Sequence, residues 1–132
     1  MKIIADTNVL LRAVLPDDDV QQTSAIETLK VADLVAVSVH SLCEFAWVLS
    51  TRYNAPRGEI AASIRRLVDT HKVMVNRPAV DAGLSVLDAG GDFADGVIAH
   101  DGQWLGGETF VSFDKKAVKL LSTQGWAAQL LL

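Results

Sequence analysis

Four acids stand out by their position after apolar runs. Asp6 immediately follows Lys2-Ile3-Ile4-Ala5, and Asp114 follows Thr109-Phe110-Val111-Ser112-Phe113. Glu44 comes six residues after the run that ends at Ser38. Asp95, with Asp92 ahead of it, opens the stretch that leads to the run at Thr109. Carboxylates gathered in one cleft repel one another at pH 7, and a divalent cation is the simplest relief. Oxygen-only ligands select Mg²⁺, with Mn²⁺ as a substitute, over Zn²⁺. His40, His71 and His100 show no zinc spacing, and Cys43 has no second cysteine to join it.

Each acid also has an ordinary use. Asp6 can cap a helix beginning at Thr7, and Asp114 one beginning at Lys115. Asp92-Phe93-Ala94-Asp95 has the spacing of a capping box, so Asp92 reads first as a cap with an accessory role. Asp95 is the better ligand, because Gly96 follows it and a glycine inside a helix suggests close approach of another group. Glu44 lies in Leu42-Cys43-Glu44-Phe45-Ala46-Trp47-Val48-Leu49, a helix apolar nearly all round and so expected to be buried. A buried carboxylate there needs a cation or donor; the alternative is a Glu that reaches solvent or a distant Arg. Asp17, Asp18 and Asp19 read as the acidic start of a helix. His100 shares a face with Val97 and Trp104 and reads as a satisfied core histidine. Phe45, Trp47, Phe93 and Trp104 read as core.

Helix-period segments and short apolar runs alternate to position these groups. Strands are expected at Lys2 to Ala5, Leu34 to Ser38, Lys72 to Val75, Thr109 to Ser112, and in the tail from Ala127 to Leu132. The runs lack polar alternation, as strands covered on both faces do. Helices are expected over Thr7 to Leu15, Asp18 to Val31, His40 to Arg52, Pro56 to Thr70, Pro78 to Ala89, Asp92 to Leu105 and Asp114 to Gln124. Strands alternating with helices imply parallel pairing and right-handed crossovers. The expected fold is a three-layer α/β/α domain around a central parallel sheet of four or five strands. Ligands bind beyond the carboxyl ends of such strands, which is where the four acids are expected to converge.

Length and composition bound the possibilities. The 132 residues suit one domain spanning residues 1–132. Half of them are hydrophobic, which argues against disorder. No apolar run is long enough to span a bilayer, so no membrane partner is expected. A lone cysteine suggests a reducing compartment and a cytoplasmic setting. Twelve Lys and Arg against 16 Asp and Glu, a net charge of −4, argues against nucleic-acid binding through a broad basic face. It leaves open an enzyme that meets a polyanion through bound metal.

At this point the order of motifs resembles the PIN-domain ribonucleases. Asp6-Thr7-Asn8-Val9-Leu10-Leu11-Arg12 looks like their first motif, and Ser41-Leu42-Cys43-Glu44-Phe45-Ala46-Trp47-Val48-Leu49 like the second. Asp92-Phe93-Ala94-Asp95-Gly96-Val97-Ile98-Ala99 resembles the third, and Thr109-Phe110-Val111-Ser112-Phe113-Asp114-Lys115-Lys116 the fourth. Each motif alone is weak; four in order are specific. The length resembles the VapC toxins of bacterial toxin–antitoxin pairs. The resemblance implies a metal-dependent endoribonuclease with Asp6, Glu44, Asp95 and Asp114 as catalytic metal-site acids. It implies accessory roles for Asp92, for Ser112 as a small hydroxyl residue, and for Asn8 as an orienter of Asp6. It also implies an RNA substrate cut to 5′-phosphate and 3′-hydroxyl ends, a homodimer, and a cognate antitoxin whose Arg fills the acidic cleft. Gly96 and His100-Asp101 depart from the small, Ala-rich continuation of the third motif.

Two other classes compete on the residues alone. Asp after a first strand can be the nucleophile of a phosphatase or phosphotransfer domain, although Asn8 stands where such sites commonly place a second acid. Alternatively, the acids are only caps on a non-catalytic interaction module. The residues that would bind substrate are not identifiable from sequence, though Arg12, Lys115, Lys116 and Lys119 lie near the motifs.

Overall fold

Helix starts in this chain are written by small polar and acidic residues. In the computed structural model, which describes residues 1–132, Asp18 accepts the backbone N–H of Gln21 and Ser38 that of Ser41. Asp114 does the same for Ala117. These bonds satisfy amides that a helix start leaves without partners. The elements follow as β1 (Lys2–Ile4), α1 (Thr7–Val14), α2 (Asp19–Val31), β2 (Leu34–Ala36), α3 (Val39–Arg52) and α4 (Arg57–Val68). After them come β3 (Val73–Met74), α5 (Arg77–Asp88), α6 (Phe93–Trp104), β4 (Phe110–Ser112), α7 (Lys115–Thr123) and β5 (Ala128–Leu130). The order is that expected from the periodicity, with pairs of helices between successive strands until β4.

The chain divides into two compact units, Met1–Asn76 and Arg77–Leu132. In the first, β1, β2 and β3 form a parallel sheet in that order, with Ile4 opposite Ala36 and Ala36 opposite Met74. The ladder continues past the strands, as Ala5 N–H donates to Ala36 and Val37 N–H to Met74. Helix α1 touches α2 and α3, and α3 touches α4. Leu10, Leu42, Phe45, Ile60 and Ile64 are fully buried here. In α3 the buried residues are Leu42, Phe45, Ala46 and Leu49, an i, i+3, i+4, i+7 stripe along a single face.

In the second unit, β4 and β5 pair in parallel, Ser112 opposite Leu130. Helix α7 lies against both, and Val86, Ala99 and Leu121 form a core that Phe110 and Trp126 help to cover. Helix α5 stops where Gly90 adopts φ +98°, a conformation that suits glycine, while the N–H of Gly91 returns to the carbonyl of Val86. Helices α5 and α6 pack tightly. A Cβ on Gly96 would stand 2.2 Å from the carbonyl oxygen of Ala82, and one on Gly83 would stand 2.6 Å from the Phe93 ring. Gly96 therefore answers to the backbone of α5, and this contact accounts for the glycine after Asp95 without any ligand.

The α/β class and the parallel pairing agree with expectation. The ladders, however, form one sheet of three strands and one of two. The strands are also less covered than their apolar runs suggested. Val35 is buried, but Ile4 is 87% exposed and Val111 53%. Strands of two or three residues leave much of each run beyond the ladder.

Candidate active site

Parallel register decides what stands at the carboxyl edge of the first sheet. Ile4 pairs with Ala36, so Asp6 and Ser38 each come two residues past the pairing, at the mouths of α1 and α3. Asp6 is exposed and accepts the N–H of Thr7 at 2.9 Å. That amide, and not Asn8, holds its carboxylate. Asn8 instead lines a cavity with Arg12 and Glu44. Glu44 is not buried as expected: its side chain is 55% exposed, and it meets His40 one helical turn earlier at 3.1 Å. The buried stripe of α3 runs on the other side, so Glu44 needs no interior cation.

The second unit gathers three acids. Asp114 follows β4 and caps α7 through Ala117 N–H at 3.1 Å. Its own N–H donates to Ser112 Oγ at 2.9 Å, which fixes the turn between strand and helix. Asp92 occupies the cap position of α6 with extended backbone, yet its side chain makes no cap hydrogen bond. The capping expectation fails there, and its carboxylate is left to face other groups. Asp95, in the first turn of α6, is partly buried. Its proton affinity is raised above that of an ordinary Asp, first by burial, then by the negative charges of Asp92 and Asp114. Burial and neighbouring negative charge both disfavour the ionised form of Asp95.

The second unit thus carries Asp92 and Asp114 close enough for their charges to act on Asp95, while Asp6 and Glu44 occupy the carboxyl side of the first. No group of three or more His, Cys, Asp or Glu side chains forms a ready-made metal cage. Carboxylate oxygens are the donor type that hard divalent cations take, and a nearby positive charge would relieve Asp95. His100 is largely covered and bonds Asp101 at 3.2 Å, as a satisfied histidine should.

Residues 3–120 match the PIN domain. The chain belongs to the PIN domain family. PIN domains are in general nucleases, hydrolases that act on nucleic acids, and they typically bind divalent metal ions. No curated protein matches the chain. The PIN match runs through all four motifs, from Asp6 to Asp114. No helix is long and apolar enough to cross a membrane.

Some features were not anticipated from sequence. His40 as the partner of Glu44 was one, although the i, i+4 spacing carried the signal. A closed set of bonds joining Arg12, Asp17 and Tyr53 was another. Arg12 Nη1 meets Asp17 at 2.9 Å, Arg12 Nη2 meets Tyr53 Oη at 3.2 Å, and the Tyr53 hydroxyl donates to Asp17 at 3.1 Å. Nothing local in sequence links positions 12 and 53. Trp47 and Trp104, expected in the core, are 61% and 77% exposed, whereas Phe45 and Phe93 are buried as expected.

Proposed function

We propose that this PIN protein is a Mg²⁺- or Mn²⁺-dependent endoribonuclease, and that residues 1–132 work as a single nuclease domain. The observation that carries the proposal is the match of residues 3–120 to the PIN family, which spans all four acid-bearing motifs. Asp95 is the principal metal ligand in this account, with Asp6, Glu44 and Asp114 completing the acid set and Asp92 accessory to it. A bound divalent cation would neutralise phosphate charge and make water a better nucleophile.

The residues of the chain supply position and field. Asp95 is held near Asp92 and Asp114 by the first turn of α6, so its negative charge is poorly compensated until a cation arrives. Ser112 holds the backbone at Asp114, whose carboxylate is divided between the α7 cap and the site. Thr7 N–H takes one oxygen of Asp6 and leaves the other open. His40 steadies Glu44 from one turn away. The scissile P–O3′ bond is hydrolysed by water, leaving a 5′-phosphate and a 3′-hydroxyl.

We also propose the VapC-type setting: a cytoplasmic toxin that forms a homodimer and is silenced by a cognate antitoxin. Exposed Val20, Ile26 and Val31 on α2 support an interface there. Ile60, Ile64 and Val68 of α4 are buried and are not available for one. An antitoxin Arg would satisfy the acid set through paired charged hydrogen bonds.

Cleavage of a mixed RNA pool with and without Mn²⁺, followed by mapping of the new ends, tests the function. Metal-dependent cuts with 5′-phosphate ends are expected. Cleavage that is indifferent to EDTA, or that leaves 2′,3′-cyclic ends, would refute it.

A further inference from the structure

The first unit holds a cavity of about 330 Å³, at the small end of the roughly 300–1,000 Å³ typical of ligand pockets. Asn8, Arg12, Glu44, Trp47, Arg52 and Tyr53 contribute to its wall. Three features make it more than a surface dent. Trp47 projects from the side of α3 opposite the buried stripe and is 61% exposed, so much of its indole is open to solvent. Arg12 is held by Asp17 and Tyr53 in a closed set of hydrogen bonds, which fixes a guanidinium in place while leaving part of its donor fork unused. Arg52 brings a second guanidinium from the last turn of α3. An open indole beside two guanidinium groups suits a flat base flanked by phosphates. A paired duplex would keep its bases stacked inside and offer the indole nothing.

We propose that this cavity holds one unpaired nucleotide of the RNA, its base stacked on Trp47 and its flanking phosphates met by Arg12 and Arg52. The inference rests on the ribonuclease reading above and adds a substrate subsite to it. Glu44 lines the same cavity, so the bound nucleotide lies beside one of the proposed site acids. Every base has a stacking face, so the subsite selects single-stranded RNA without selecting sequence.

The test is the affinity of the full chain for a labelled single-stranded oligouridylate, measured by fluorescence anisotropy with Ca²⁺ in place of Mn²⁺. Trp47→Ala is expected to weaken binding roughly 5- to 150-fold, the range of one lost base stack, and Trp47→Phe to restore most of it. Arg52→Ala should weaken binding and lower the slope of log affinity against log salt by roughly 0.7, one phosphate contact on a single strand. Affinity for a paired duplex should not respond to Trp47→Ala. In Mn²⁺-dependent cleavage, Trp47→Ala should raise KM while kcat stays within about twofold, because a binding contact is lost and no reacting group is. If wild type cleaves RNA but Trp47→Ala and Arg52→Ala bind the oligonucleotide as it does, the subsite is overturned and the nuclease reading stands. If wild type neither binds nor cleaves any RNA, both are overturned.

Discussion

Replacing Gly96 by alanine sets two effects against each other on one helix. Alanine gains about 1 kcal/mol over glycine in a helix interior. At Gly96, however, the new Cβ would stand 2.2 Å from the Ala82 carbonyl oxygen and 2.8 Å from Gly83 Cα. Ordinary contact begins near 3.4 Å, so α5 and α6 must separate by about 1.2 Å or distort. Both obstacles are backbone atoms of a packed helix and cannot rotate away. Overpacking of this kind costs about 1–3 kcal/mol, and rigid backbone places Gly96→Ala at the upper end. The net loss is then about 2 kcal/mol, or roughly 6–10 °C in melting temperature for a chain of this size. Gly102 lies in the same helix, and a Cβ there meets nothing within 4 Å. Gly102→Ala should therefore raise the melting temperature by roughly 3–5 °C. Thermal melts by circular dichroism in EDTA measure both. Gly96→Ala melting at or above wild type would refute the close-packing account of α5 and α6.

Three further outcomes follow from the same physical picture. Asp95 binds a proton more readily in the folded protein than in the unfolded chain, so its contribution to stability is lost as pH rises from the ordinary Asp range through its raised value. Asp95→Asn should accordingly melt higher than wild type at neutral pH without metal and match it in strong acid; a pH series of melts that shows the reverse order contradicts the burial argument. Mn²⁺ at 100 times its dissociation constant should stabilise wild type by about 2.7 kcal/mol, and Asp95→Asn should lose that gain, as differential scanning calorimetry will show. On α3, Phe45→Ala should cost about 3–5 kcal/mol in urea denaturation. Trp47→Ala should cost less than about 1 kcal/mol, because the two side chains occupy opposite environments.

Much of the arrangement was legible in the sequence, for identifiable reasons. Asp18 and Asp114 announce the helices they cap, and the apolar runs mark every strand. The four motifs are read from residues close together in the chain, which is why the PIN match could be anticipated. Features that depend on distant backbone were not legible. Gly96 looked like a place for a ligand because the carbonyl of Ala82 cannot be foreseen from the third motif. Asp92 looked like a cap because spacing reveals position but not whether the side chain turns back. Glu44 takes the solvent-reaching alternative, and Trp47 departs from the core expectation, for a different reason. Total apolar content suggests burial all round, but Leu42, Phe45, Ala46 and Leu49 define a single buried face that excludes both. The division into ladders of three and two strands could not be read from runs that outlast their own hydrogen bonding.

If Asp95 holds a divalent cation that assists attack of water on RNA, cleavage should need both the cation and that carboxylate. The most direct test is the rate of cleavage of a mixed RNA pool by wild type and by Asp95→Asn across a Mn²⁺ titration, with both proteins shown to be folded by circular dichroism. Wild-type cleavage is expected to rise with Mn²⁺ from an EDTA baseline, and Asp95→Asn to stay at that baseline. Equal rates for the two folded proteins would contradict this expectation.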